Sequence, residues 1–262
     1  MISKLAHVAE GAKIGNNVEV MPFAFIDNDV EIGDNTVIYP YASVMNHTRI
    51  GKNCKIYQGS IIGADPQDFR WEGQKTGCRI GDNVVIREHV IINRSIYEGK
   101  ETYIGDDSFI MAKCHLGHDA HVENKCVLGN GVTVAGNTAI GSCTVMSSGA
   151  MLHEGCRIGE WVLVKGGCRI GSNVPPFVIM AHNPASYFGV NAFIMRHHDA
   201  FTDEEVDDAA KAYRHVYQTG TSVFNALRRI NADVPEGRVR DAIVDFIRSV
   251  DLKIVAIPRD LE

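Results

Sequence analysis

An aliphatic side chain recurs at every sixth residue along most of this chain. Stepping from Ile2 gives Val8, Ile14, Val20, Ile26, Ile32, Ile38, Val44, Ile50, Ile56 and Ile62. The register resumes at Ile80, Ile86 and Ile92, and again from Ile104 through Ile110, Leu116, Val134 and Met146 to Ile170. Of the 29 positions in this register 26 are aliphatic or Met, the exceptions being Asp68, Gln74 and Glu98. With 45% apolar residues overall, chance does not produce such a run. A period of six is neither the roughly 3.6 of an α-helix nor the roughly 2 of a simple strand. It fits short strands joined by tight corners, three to a triangular coil, so a mainly β fold of stacked parallel coils is expected. Glycine follows the aliphatic position at Gly15, Gly33, Gly51, Gly81, Gly105 and Gly117, which marks a recurrent turn. The residue two places before it is small or β-branched: Ala12, Val18, Ala24, Val30, Thr36, Ala42, Thr48, Cys54, Ser60. Six of the seven cysteines (Cys54, Cys78, Cys114, Cys126, Cys156 and Cys168) fall there and read as small core residues; Cys143 is off register and has no assigned role.

The bulk numbers narrow the function. The 262 residues make one large domain or two small ones. With 26 basic against 32 acidic residues the net charge is −6, which disfavours sequence-independent nucleic-acid binding. No apolar run reaches the length of a membrane span, so no stable membrane insertion is expected. The start, Met1-Ile2-Ser3-Lys4-Leu5, lacks a signal-peptide pattern, so a cytoplasmic location is expected. An odd number of cysteines and no CxxC pair argue against a disulfide framework and against structural zinc.

Two inserts, 64–77 and 95–103, leave the repeat and return in register, so each is an external loop. Loops on a repetitive scaffold carry function, and the first combines Gln67, Asp68, Arg70 and Trp71. The repeat is expected to end at Pro175-Pro176, where a double proline stops strand pairing. Pro184 and Tyr187-Phe188-Gly189 read as a connector. Thr202-Asp203-Glu204-Glu205 reads as a capping box opening a helix. Further helices are expected over 222–230 and 235–250. The domains are then 1–186, the coil, and 187–262, a helical domain whose plain role is to cap the open end of the stack.

Among eleven histidines, His115-Leu116-Gly117-His118-Asp119-Ala120-His121 stands out. Leu116 points inward in the register, so His118 points out. Adding one coil of three hexads leads from His118 to Gly136 and then to Glu154. His118, Gly136-Asn137 and His153-Glu154 should line one strip, spanning roughly 10 Å at the usual strand spacing. A base, a backbone N–H and further polar groups along a groove suit acyl transfer: the base takes the acceptor's proton, and the N–H supports the oxyanion. His115 and His121 are six apart, on different faces, and cannot join His118 around a metal within one chain. No Ser or Cys is placed beside His118 as a covalent nucleophile, so direct attack by the acceptor is simpler.

The repeat resembles that of the hexapeptide-repeat acyltransferases, which form left-handed parallel β-helices. The same coil also carries γ-class carbonic anhydrases and sugar acetyltransferases. The segment Met111-Ala112-Lys113-Cys114-His115-Leu116-Gly117-His118-Asp119 resembles the catalytic segment of the UDP-N-acetylglucosamine O-acyltransferase family, which opens lipid A biosynthesis. His47-Thr48-Arg49-Ile50-Gly51, Gln67-Asp68-Phe69-Arg70, Val174-Pro175-Pro176 and Phe188-Gly189-Val190-Asn191 extend the likeness. The resemblance implies a homotrimer with clefts between subunits and a donor carrying an (R)-3-hydroxyacyl chain on acyl carrier protein. It implies UDP-N-acetylglucosamine as acceptor and no cofactor or metal. His118 would be the general base, Asp119 its orienting carboxylate and Gly136 the oxyanion donor. Gln67, Asp68 and Arg70 would contact sugar or donor, Asn191 and Arg196 the nucleotide, and His115 and His153 the same cleft. Gly166 matches the position that limits acyl length, and its missing side chain implies a long tunnel. Asn137, Glu154 and His197-His198 depart from the family's usual His, Gln and arginines, which leaves a 3-amino acceptor conceivable. Other readings are a coenzyme A-dependent transferase, metal-dependent hydration and a non-catalytic scaffold.

Overall fold

The computed structural model describes residues 1–197 and 200–256, with His197 described by its backbone alone. Among the described residues three sheets of nine, eight and ten strands, parallel except for the last strand of the third, form the faces of a triangular prism, wound left-handed. Face I begins at His7–Val8, face II at Lys13–Ile14 and face III at Glu19–Val20, and the chain visits them in that order on every coil. Most strands have two residues, the first pointing out and the second in, as in His115–Leu116 and Phe109–Ile110. Successive coils therefore stack like on like: Leu116 pairs with Val134, and Ile62 with Ile92 across the first insert. The inward column includes Ile26, Ile62, Ile92, Leu116 and Val134, all fully buried. The six in-register cysteines are buried with it.

The corners explain the residue types between strands. Where face II turns to face III, Asn17, Asn35, Asn53 and Asn83 adopt left-handed backbone with φ of 55 to 60°. Asn tolerates this region better than most residues. Their amides form a ladder up the corner, Asn17 to Asn35 at 3.2 Å, Asn35 to Asn53 at 3.2 Å and Asn53 to Asn83 at 3.0 Å. Cys143 occupies the same place two coils above Asp107, with φ 59°, which is why it is out of register with the core cysteines.

The double proline does not end strand pairing. Pro175 and Pro176 sit at the face II to face III corner, where a missing N–H costs no ladder bond. The strand Val178–Ala181 follows and pairs in parallel with Leu163–Val164, Val164 facing Met180. The expected connector is the strand Ser186–Val190, antiparallel to it. The loops are also shorter than expected. They span 65–76 and 94–100, because Gly77–Ile80 and Glu101–Ile104 pair as strands on face II.

Among the described residues four helices follow: α1 (Ala192–His197), not expected from the sequence, α2 (Asp203–Tyr217), α3 (Val223–Asp233) and α4 (Arg238–Ser249). The capping box forms, with the Glu205 N–H donating to Thr202 Oγ1 at 3.2 Å and the Thr202 N–H to Glu205 Oε2 at 2.9 Å. Buried Tyr213 donates its hydroxyl to the Pro176 carbonyl at 2.5 Å, and Tyr187 stacks on Tyr217 with centroids 4.0 Å apart. Helices and coil share one continuous core. Ile110 sits midway up the inward column of face III with no exposed area. Ile110→Ala is expected to lower unfolding free energy by about 2–5 kcal/mol in denaturant titration, since rigid coils above and below cannot close the cavity.

Candidate active site

Both loops and the His118-Asp119 pair leave the prism at one corner, where face I turns to face II. The loops belong to the two coils directly beneath His118 and fold up over it, whereas Gly136-Asn137 and Glu154-Gly155 lie in the two coils above. His118 is thus outside the prism, as expected, yet only 7% exposed, because the first loop covers it.

Each ring nitrogen faces a carboxylate. Nδ1 lies 3.0 Å from Asp119 Oδ2, and Nε2 lies 3.3 Å from Asp68 Oδ2. An Nδ1–H donated to Asp119 leaves Nε2 as the proton acceptor. Its flat face rests on Gly136, where a Cβ would lie 2.4 Å from Nε2, so only glycine fits. The Asn137 N–H donates to the His118 carbonyl at 3.0 Å, which fixes the vertical stacking. No described residue accepts from the Gly136 N–H.

The two carboxylates are anchored differently. Asp119 has left-handed backbone, φ 57°, and its N–H donates to Thr102 Oγ1 at 2.8 Å. Its carboxylate accepts from Ser95 Oγ at 2.5 Å and from the Ile96 N–H at 3.1 Å. Asp68 accepts from Arg70 Nε at 2.8 Å, Arg70 Nη2 at 2.7 Å and the Arg70 N–H at 2.8 Å. The Arg70 guanidinium holds this carboxyl well below the usual carboxylate range. Arg70 reaches on to Glu154 Oε1 at 3.2 Å, and Asn137 Nδ2 donates to the same oxygen at 3.2 Å. His115, half-buried on face I one coil above Ile91, has its pKa lowered by burial, which favours the neutral ring.

One corner therefore gathers Asp68, Arg70, His118, Asp119, Gly136, Asn137 and Glu154, with exposed Gln67 and His153 beside them. Asp68 lies on His118 itself, a placement the sequence did not suggest. Three expected residues lie elsewhere. Asn191 is buried at the face II to face III corner, donating Nδ2 to the Trp161 carbonyl at 2.9 Å. Arg196 on α1 pairs with Asp203 at 2.9 Å. Gly166 lies at the face III to face I corner, where a Cβ would meet only the Ser148 carbonyl, at 3.2 Å. The His197 side chain and His198 lie outside the described residues.

Sequence reasoning missed Arg94 and Ser95. Arg94, 7% exposed, donates to Asn46 Oδ1 at 2.5 Å, pairs with Asp65 and lies 5.6 Å over the Trp71 ring. It ties the base of the first loop to the second. A cation directly after a strand, just before a break in the repeat, was the available signal. Among the described residues, no three His, Cys, Asp or Glu side chains are grouped to hold a metal.

The chain matches the family model for UDP-N-acetylglucosamine O-acyltransferase, domain 2, over residues 173–255, and that for the bacterial transferase hexapeptide over 29–64 and 101–136. It is 49% identical over 249 residues to an acyl-[acyl-carrier-protein]–UDP-N-acetylglucosamine O-acyltransferase from Chlorobaculum tepidum, covering 95% of this chain and 94% of that one. An enzyme of the same name from Chlorobaculum parvum is 46% identical, with the same coverage. A crystal structure of a UDP-N-acetylglucosamine acyltransferase from Bacteroides fragilis superposes with a TM-score of 0.93 at 38% identity, over 99% of this chain and 100% of that one. The Francisella novicida enzyme gives 0.92 at 31%, over 100% and 95%. Gly136→Ala is expected to fold normally but to displace the imidazole. Turnover that depends on His118 should fall about a hundredfold, as for a 1 Å misplacement of a reacting group; a crystal structure and a rate measurement on the variant check both.

Proposed function

The chain belongs to the UDP-N-acetylglucosamine O-acyltransferase family and is an acyltransferase; on that footing we propose that it moves an (R)-3-hydroxyacyl chain from acyl carrier protein to the 3-hydroxyl of UDP-N-acetylglucosamine, opening lipid A biosynthesis. The observation that carries the mechanism is His118, fixed at Nδ1 by Asp119 and seated against Gly136. The acceptor hydroxyl takes the place of Asp68 at Nε2 and gives its proton to the ring as its oxygen attacks the thioester carbon. The imidazolium then keeps the Asp119 carboxylate at Nδ1, which stabilises its charge as it forms. The tetrahedral oxyanion accepts from the free Gly136 N–H. As the intermediate collapses, the C–S bond breaks and the ring's proton goes to the departing thiol of the carrier. Gln67, Asp68, Arg70, Asn137, His153 and Glu154 line the acceptor and donor side. The chemistry needs only the two substrates.

The outward rows of the prism support a homotrimer. Face III presents Val37, Val85, Phe109, Val127, Val145, Leu163 and Ile179, and face I presents Phe25, Ile61, Ile91, Thr133 and Met151. The corner between these faces carries Phe23 and Tyr41, stacked at 5.2 Å and 52% and 63% exposed. Face II is charged, with Lys13, Glu31, Arg49, Arg79 and Arg157. Between their terminal coils these two faces present apolar side chains apart from Lys55 on face III and Ser43, His115 and Thr133 on face I, and they meet at an edge bearing two exposed aromatics, a surface that asks to be covered. Three prisms sharing that edge as a three-fold axis pack face I of each on face III of the next. The face I to face II corner of one subunit then meets the face II to face III corner of its neighbour. This accounts for the distance of Asn191 from His118 within one chain: it serves the nucleotide across the interface, with Arg196 on the α1 that follows it. The face I row His115, Thr133, Met151 leads from His118 toward the coil of Gly166 and gives the acyl chain a track that ends on the apolar Met151.

The relatives' names specify a carrier-protein donor, which favours this reading over coenzyme A. A cytoplasmic location accords with free cysteines set in the core. No helix among the described residues is long and apolar enough to cross a membrane.

Incubating the enzyme with UDP-N-acetylglucosamine and 3-hydroxyacyl carrier proteins is expected to give the 3-O-acyl product. His118→Ala should lose about a thousandfold or more of the rate with the fold retained; a variant within a few-fold of wild type would remove the base from the mechanism. Gly166→Met should shift the preference to shorter donors, read from products formed with a graded donor series; an unchanged profile would show that the chain end lies elsewhere.

A further inference from the structure

We propose that Ser95 is a positioning residue for the reaction, its hydroxyl clamping the Asp119 carboxylate in the orientation that holds His118. The inference rests on His118 being the base. The Ser95 side chain is fully buried although the loop that carries it is outside the prism. Its oxygen lies 2.5 Å from Asp119 Oδ1, against 3.3 Å from the Tyr97 carbonyl. The single hydroxyl proton therefore goes to the carboxylate, the shorter and charge-assisted partner. The same oxygen accepts from the Tyr97 N–H at 2.9 Å, which fixes the direction of that proton.

Asp119 needs this clamp because its other oxygen is committed. Oδ2 takes both His118 Nδ1, at 3.0 Å, and the Ile96 N–H, at 3.1 Å. Without a donor on Oδ1 only the Ile96 N–H restrains the carboxylate, which can then turn about its terminal bond away from Nδ1. Ser95 is itself anchored at both ends of the first loop. Its N–H donates to the Gly77 carbonyl at 3.2 Å, and the Arg94 N–H donates to the Ala64 carbonyl at 2.9 Å. The strand ends that launch and receive the Asp68 loop thus also hold the group that orients Asp119. One dipeptide, Arg94-Ser95, thus joins the base of the Asp68 loop to the carboxylate at Nδ1.

A hydrogen bond to a charged group contributes about 1.5–3 kcal/mol, which converts to roughly a tenfold to hundredfold loss. Ser95→Ala is expected to lower kcat by that factor and to leave KM for UDP-N-acetylglucosamine within about twofold. The melting temperature should stay near that of wild type, and Ser95→Thr, which keeps the hydroxyl, should recover most of kcat. The decisive measurement is a double-mutant cycle with Asp119→Ala. If Ser95 acts through Asp119, adding Ser95→Ala to Asp119→Ala costs less than about twofold more. The same loss in both backgrounds would make Ser95 a brace for the Tyr97 loop alone and overturn the proposal, as would an undiminished kcat in Ser95→Ala. A fully active His118→Ala would instead strike the catalytic reading, so the two failures are distinguishable.

Discussion

Each coil of this protein is hydrogen-bonded in parallel to the coil beneath it, residue over equivalent residue. Parallel strands need long crossovers, and here the crossover is the rest of the coil itself. Any property of one corner residue is therefore passed vertically to the next at the strand spacing of about 4.8 Å. The core becomes a column of Ile, Val and Leu, the face II to face III corner a ladder of asparagine amides, and the face I to face II corner a column of functional groups. Little else in the molecule is free to vary once this stacking is set. His118 meets Gly136 because they are one coil apart at the same corner, and Gly136 is bare because the ring needs the space.

Such a scaffold is rigid but convex, and a convex corner makes a poor enclosure. The two inserts supply the missing wall. They arise from consecutive coils just below His118, so Asp68 reaches the ring and Ser95 reaches Asp119 without long spans of unsupported chain. Each brings a different kind of support. The first contributes Asp68, charged by Arg70 and exchangeable for an acceptor hydroxyl; the second contributes Ser95 and Ile96 N–H, which fix a carboxylate that does not exchange. A base with one fixed and one replaceable partner is prepared to take a proton in a single direction.

Much of the fold was legible in the sequence, because a six-residue period has few structural solutions and the inward column follows from it without further assumption. The capping box at Thr202 was legible for the same reason: its bonds are local. The double proline was misread, because its effect depends on whether it falls on a strand or at a corner. Pro175 and Pro176 fall at a corner, and the register slips so that Val164 pairs with Met180. The strip from His118 to Glu154 was legible by adding one coil length, since no insert intervenes. The same arithmetic fails below His118, where two inserts break the count, and this hid Arg94 and Ser95.

The sequence by itself determined the coil, its core, its corners and the vertical alignment of His118, Gly136 and Glu154, because these depend only on repeat length and on residues near in register. Tertiary structure decided what touches the ring. That Asp68 reaches Nε2, that Ser95 rather than a residue of the repeat orients Asp119, and that Asn191 lies at a different corner all depend on how irregular segments fold back in space. Irregular backbone carries no period, and without a period there is nothing in the order of residues from which a distance can be counted.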